Sequence, residues 1–170
     1  KKTDIKRFEK KINYNISYRQ NFIEYSEDGI NYLRNICEII KKYQGGALII
    51  DYGYFENEMK NTLQAISNQK YSNVLNNIGD SDITHNINFN LFKKIIKKLK
   101  KLDVITTSQG EFLTKIGINE RAKIISKNLS FLKKSDVYYR LKRLTDKKQM
   151  GSLFKVMFIK NQKNKFCLGF

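Results

Sequence analysis

Residues 47–65 read ALIIDYGYFENEMKNTLQA, and the fold turns on how the aliphatic run Ala47-Leu48-Ile49-Ile50 ends in Asp51-Tyr52-Gly53-Tyr54. The run lacks polar alternation, so residues 47–51 are read as a strand covered on both faces, the pattern of a parallel sheet flanked by helices. Upstream, Ser26 followed by Glu27 and Asp28 is a helix start: the hydroxyl can cap free amides and the carboxylates oppose the positive end of the helix dipole. Ile30, Leu33, Cys37 and Ile40 recur at helical spacing, Lys41 and Lys42 fall in the last turn, and Gly45-Gly46 is expected to stop the helix. A helix, a glycine stop and a buried strand form the second half of a βαβ unit. In open parallel sheets ligands gather beyond the carboxyl ends of the strands, where Asp51, Tyr52, Gly53 and Tyr54 stand. The alternative is that Asp51 caps the next turn and the tyrosines pack on a neighbouring helix.

The rest of the chain fits an α/β domain. Residues 3–12 carry Ile5, Phe8 and Ile12 at the spacing of a short amphipathic helix, and the polar-aromatic residues 13–25 have room for a strand. Residues 63–67 alternate as a short strand, and residues 76–80 (Asn-Asn-Ile-Gly-Asp) form a turn. Residues 89–102 give the clearest helix. Leu91, Phe92, Ile95, Ile96, Leu99 and Leu102 line one side and six lysines the other, which packs on a sheet or faces anionic lipid. Residues 104–107 follow as a strand, and Ser108-Gln109-Gly110-Glu111 matches a capping box. Further helices are expected from Asn119 and from Ser135, the latter with Val137, Tyr138, Leu141 and Leu144 inward, and residues 153–159 close the pattern as a strand.

With 170 residues, 41% of them hydrophobic, the chain has the size of one domain with a packed core. It has no apolar run near the roughly 20 residues that span a bilayer and no apolar signal core after its basic start, so it reads as soluble and unexported. Cys37 and Cys167 form no metal-binding pair and are read as small core hydrophobes. The net charge of +17 rests mostly on lysine, since only Arg7, Arg19, Arg34, Arg121, Arg140 and Arg143 are arginines. Lysine is the poorer residue for bidentate phosphate or base contacts, which reads as a solvated surface before a specific nucleic-acid site. The sequence holds no GxSxG, P-loop, HExxH or kinase signature, and no GxGxxG after a strand. The single histidine, His85, stands beside Asp82, where acid-base work or a plain exposed position are both open.

Five ordered motifs carry a resemblance. They are Gly46-Ala47-Leu48-Ile49-Ile50-Asp51-Tyr52-Gly53-Tyr54; Asn61-Thr62-Leu63-Gln64-Ala65; Gly79-Asp80-Ser81-Asp82-Ile83-Thr84; Gln109-Gly110-Glu111-Phe112-Leu113 with Gly117-Ile118 and Arg121; and Met150-Gly151-Ser152-Leu153-Phe154-Lys155-Val156. In this order they resemble the C-terminal half of MidA-like S-adenosylmethionine-dependent methyltransferases, whose mitochondrial members are protein arginine methyltransferases supporting respiratory complex I assembly. The likeness runs from Glu24 to the terminal Gly169-Phe170. It implies a single partial domain over residues 1–170, the later strands and helices of a Rossmann-like class I sheet, with a helical insertion at residues 108–146.

The resemblance further implies that S-adenosylmethionine is held mainly by an N-terminal half, so that half is expected as a partner beside a protein substrate. The isolated chain is then expected to be inactive, with no cofactor residues of its own. A strand of that half would pair along residues 47–51, whose edge is otherwise adhesive. The family pattern has histidines where this chain carries Gln69 and Asn86, and an aspartate where it carries Asn88. Asp51, Asp80 and Asp82, which suit a substrate guanidinium, and Tyr52, Gly53 and Tyr54 are the substrate-binding candidates. Neither a specific nucleic acid nor a transmembrane segment is expected, and the location implied is cytoplasmic, mitochondrial in organellar relatives. A non-catalytic interaction module and a basic nucleic-acid or membrane-surface binder are the alternatives.

Overall fold

The computed structural model describes residues 2–76 and 78–170. In chain order they form helices α1 (Lys2–Ile12) and α2 (Glu27–Tyr43), then strands β1 (Gly46–Tyr54), β2 (Gln64–Ser67), β3 (Lys70–Ser72), β4 (Asp82–Thr84) and β5 (Ile87–Asn88). Helix α3 (Phe89–Lys97) and strand β6 (Leu102–Ser108) follow. Helices α4 (Gln109–Lys115), α5 (Ile118–Ser126), α6 (Phe131–Thr145) and α7 (Met150–Leu153) lead into the last strand, β7 (Phe154–Asn161). Four strands make the main sheet in the order β5-β1-β7-β6, and three make a small antiparallel sheet, β3-β2-β4.

Ser26 caps α2 as its hydroxyl oxygen accepts the Gly29 amide at 3.0 Å, and Ile30, Leu33, Cys37 and Ile40 are all buried. The helix ends on Gln44, which takes the left-handed conformation at φ 58°, while Gly46 already belongs to the strand. Expected glycine stop and observed glutamine cap differ because Gly46 is needed elsewhere: a β-carbon there would lie 2.8 Å from the Phe158 ring.

The main sheet is mixed, not the parallel sheet the βαβ reading expected. β1 runs antiparallel to β7 from Gly46↔Lys160 to Tyr52↔Phe154, and β7 runs antiparallel to β6; only β5 is parallel to β1, through Gly53↔Ile87 and Tyr54↔Asn88. A continuous apolar run cannot reveal strand direction, because both directions bury such a run between two layers. Nor is β1 covered on both faces. Ala47 and Ile49 pack against Leu33, Cys37, Ile40, Phe89, Ile96, Met157 and Ile159, whereas Leu48, Ile50 and Tyr52 are exposed at 48%, 43% and 42%.

The opposite face of β7 is covered by α4 and the last residues. Val156 and Phe158 are buried, and the Phe158 ring meets Phe166 edge-on at 5.6 Å and Phe170 stacked at 5.8 Å. That cover stops before β1. A second cluster, Phe8, Ile12, Ile16, Ile30, Met59, Leu91 and Ile95, seats α1 against α2 and α3.

Other boundaries shift for local reasons. Residues 13–25 form no strand; the Ser17 amide donates to the Glu9 carboxylate at 2.6 Å and Ile16 is buried, so the segment is held by side chains. The helix expected to reach Leu102 ends at Lys97, Lys101 turns the chain at φ 69°, and Leu102 starts β6. α5 and α6 begin at Ile118 and Phe131, ahead of the expected Asn119 and Ser135. On α6, Val137, Leu141 and Leu144 are half-buried, but Tyr138 points outward at 44% exposure. Cys37 is a core residue while Cys167 is exposed, since it lies on the terminal segment beyond β7. Of the turn expected at residues 76–80, Asn77 lies outside the described residues.

Candidate functional site

The carboxyl end of β1 opens into a cleft of about 800 Å³. Its floor is Gly53 and Tyr54, its near wall Phe55, Glu56 and Lys60, and its far wall Ser152, Leu153 and Lys155, with Asn86, Lys147, Lys148 and Gln149 at the rim. Gly53 is required by close approach: a β-carbon would lie 2.4 Å from the Ile87 carbonyl oxygen and 2.6 Å from the Phe89 ring. That contact lets β5 run beside β1 and carries Asn86 to the rim.

The walls are braced by an aromatic and ionic lattice. The buried Tyr54 accepts the Lys60 amide on its hydroxyl oxygen at 3.2 Å, and the Lys60 ammonium lies 5.2 Å above the same ring. Lys60 also donates to Glu56 at 2.7 Å, and this bond holds the Glu56 carboxyl below its usual range. Lys155 lies 5.5 Å over the Phe55 ring and donates to the Ser152 carbonyl. Burial pushes the Lys155 ammonium below its usual value; Glu56 opposes the shift and Lys60 adds to it.

A buttress stands behind. The Glu24 carboxylate accepts the Thr62 and Leu63 amides at 3.0 and 3.2 Å and the Thr62 hydroxyl, and the Thr62 oxygen accepts the Asn86 amide at 2.9 Å. Glu24 thereby fastens the segment after the cleft to the rim. Four lysines against one carboxylate, already paired, give the cleft a positive lining.

Gly53 and Tyr54, two of the sequence candidates, line this cleft. Tyr52 lies on the bare face of β1, its ring 4.1 Å from Phe154. Asp51 is half-buried and its carboxylate accepts the Tyr52 amide at 2.7 Å. Asp80 and Asp82 are exposed on the approach to and in β4, and do not line the cleft with Gly53 and Tyr54. His85 is exposed between β4 and the rim residue Asn86. The sequence reading missed Lys60, Lys155 and Glu24. Lys155 sat inside a quoted motif, yet a lysine in a strand of a lysine-rich chain carries no signal of its own. Among the described residues no three of His, Cys, Asp and Glu gather to hold a metal, and no helix is long and apolar enough to cross a membrane.

Residues 1–108 match the family described as "Putative S-adenosyl-L-methionine-dependent methyltransferase". The chain is 30% identical over 125 residues to the mitochondrial protein arginine methyltransferase NDUFAF7 of Xenopus tropicalis, covering 72% of this chain and 28% of that protein. The Xenopus laevis counterpart is 27% identical over the same shares. Two Burkholderia thailandensis crystal structures share the fold at 22% identity, each over 85% of this chain. An uncharacterized protein matches with a TM-score of 0.73 over 40% of its chain, and one bound to S-adenosyl-homocysteine with 0.69 over 39%. The mixed α/β sheet is thus of the class I methyltransferase type. The chain spans 28% of the length of the two Xenopus relatives.

Five of the glycines pack closely against other parts of the chain, while Gly45 and Gly79 have open space beside them. The space beside Gly46 is filled by Phe158, beside Gly53 by Ile87 and Phe89, beside Gly110 and Gly151 by Thr145, and beside Gly169 by Phe112. Each close approach is to the chain's own atoms.

Proposed function

We propose, since the chain belongs to the S-adenosyl-L-methionine-dependent methyltransferase family, that these residues form the substrate-side part of such an enzyme and that strands outside them hold the cofactor. The observation that carries this reading is the edge of β1. Its pairing with β5 begins only at Gly53, so among the described residues no strand pairs with its outer side over residues 46–52. A strand laid there would satisfy that row of amides and carbonyls and end beside the cleft.

The cofactor, bound on that added part, supplies the methyl group; the present residues position the acceptor. A protein substrate is the class named for the relatives, with arginine as the acceptor side chain. Lys60 and Lys155, with Lys147 and Lys148 at the rim, suit an acidic stretch of that protein. Gly53 and Tyr54 line the path of the acceptor side chain, and Asp51, on the strand leading into the cleft, is the carboxylate candidate for its guanidinium, whereas Asp80 and Asp82 lie apart from the cleft. Holding the nucleophile in line is the main demand of methyl transfer to nitrogen.

The test is titration calorimetry with S-adenosylmethionine on the 170-residue chain, alone and co-purified with the upstream part of a relative. We expect no binding to the chain alone and binding to the pair. Micromolar affinity of the chain alone would overturn the reading.

A further inference from the structure

We propose that the outer stripe of α6 is a contact for an anionic membrane surface. α6 is unusual among the longer helices in having no fully buried residue. Its inward row, Val137, Leu141 and Leu144, leans on Ile118, Ala122 and Ile125 of α5, which makes the two helices an antiparallel hairpin. Away from that row Phe131 is 84% exposed, Leu132 78% and Tyr139 67%, with Tyr138 beside them. A spacing of seven residues returns to the same side of a helix, so Tyr138 stands in line with Phe131 and Tyr139 with Leu132. These four side chains form an apolar-aromatic stripe in two pairs, with Ser135 and Asp136 between them. On α5, Ile124 is exposed as well.

The stripe is interleaved with cations. Lys133, Lys134, Lys142 and Arg143 flank it, Lys123 and Lys127 stand near the hairpin turn, and residues 118–148 hold ten Lys and Arg against three Asp and Glu. Arg140 is paired, with Asp136 at 2.9 Å; none of the six flanking cations has an ion pair among the described residues. The hairpin is anchored at its far end, where the Leu144 carbonyl accepts Gln109 at 3.0 Å and Thr145 abuts Gly110 and Gly151. Phe131 therefore lies about 20 Å along the helix from the anchor, at 1.5 Å per residue.

The chemistry selects lipid over the other polyanion. Leu132 and Ile124 have no use against a nucleic acid, which offers phosphates and stacking faces. At a bilayer surface the same set is complementary: aliphatic and phenyl groups enter below the headgroups, tyrosines sit at the boundary, and lysines meet anionic headgroups.

The chain has no tryptophan, so Phe131→Trp places a single reporter at the end of the stripe. The experiment is vesicle co-sedimentation and tryptophan emission, with phosphatidylcholine alone and with about 30% phosphatidylglycerol added. We expect binding to the anionic vesicles only, with a blue shift of the reporter. Phe131→Ser with Leu132→Ser, and separately Lys133→Glu with Lys134→Glu, should each weaken binding roughly tenfold or more. Tyr71→Ser, an exposed aromatic on β3, should leave it unchanged. Circular dichroism is expected unaltered in all variants, because every changed side chain is exposed. Vesicle binding without a reporter shift, equal loss in Tyr71→Ser, or selective binding of single-stranded RNA in place of vesicles would each overturn the proposal.

Discussion

β1 presents two rows of apolar side chains that meet different fates. Ala47 and Ile49 are partly buried against the cluster that α2 and α3 contribute to, while Leu48 and Ile50, of the same character and one residue away, are nearly half exposed. Side-chain alternation along a strand produces the two rows, but it does not explain why both are aliphatic. Where one face of a strand is meant for water, polar residues occupy it. An aliphatic outer row beside an unpaired edge is what supports the proposal of a further strand and layer at β1. The inner row packs into the core, and the outer row is open among the described residues.

The largest effect should separate the two rows directly. Phe89 is fully buried in the inner cluster, and Phe89→Ala should cost about 3–5 kcal/mol through lost transfer energy and a residual cavity. Leu48→Ala, on the bare face, should change stability by no more than about 0.5 kcal/mol. Urea denaturation of both variants reads the difference, and a similar loss at Leu48 would show that the outer row is already packed in solution.

The edge itself is the next test. An unpaired, aliphatic strand edge is a template for pairing with another copy, and a charge placed there opposes it. Ile50→Lys should shift the chain toward monomer in light scattering at unchanged melting temperature. If self-association persists, the adhesive surface lies elsewhere, and the α6 stripe becomes the first suspect.

The sequence was most legible where local chemistry and tertiary packing agree. Ser26, the i, i+3/i+4 series of α2 and the lysine-sided α3 each state their structure within one element, so the buried stripes fell where the spacing put them. Strand direction and neighbour order were not legible in residues 47–54, because partners more than a hundred residues away, Phe154 to Lys160, decide them. The one-sided burial of β1 was invisible for a different reason: an unbroken aliphatic run reads as covered on both faces, whereas Leu48 and Ile50 are exposed. The cleft was half legible. Gly53 and Tyr54 follow from the strand's carboxyl end, whereas Lys60, Lys155 and Glu24 act through contacts that spacing does not encode.

A finer contrast lies in the helix caps, which repeat the difference between tied and untied regions. Ser26 caps α2 with a hydrogen bond, while Ser130, at the corresponding place before the exposed α6, makes none. Ser26→Ala should therefore cost about 1 kcal/mol in chemical denaturation, and Ser130→Ala close to nothing. An equal cost at both would mean that the α6 cap closes in solution and that the hairpin is tighter than its exposure implies.

The smallest effect is the pH response of the cleft wall, where a screened pair faces a partly buried lysine. Glu56 has its carboxyl held below the usual 4.5, first by its hydrogen bond to Lys60, so its contribution is fully present above 4.5 and lost as pH falls through the folded value. Because both partners are about half exposed, the pair is worth less than about 1 kcal/mol. Lys155 runs the other way: burial lowers it from 10.5, so charging it opposes folding below its folded value, and that penalty fades as pH rises toward 10.5. Glu56→Gln should lower the melting temperature slightly at pH 7 and not once the pH has fallen below the folded value of Glu56, whereas Lys155→Met should raise it at pH 7 and lose that advantage above pH 10.5. Calorimetric melts across this range read both signs. A loss of stability for Lys155→Met at pH 7 would show that its bond to the Ser152 carbonyl outweighs its desolvation, and the lysine would then be a brace of the cleft wall more than a charge kept ready for an anion.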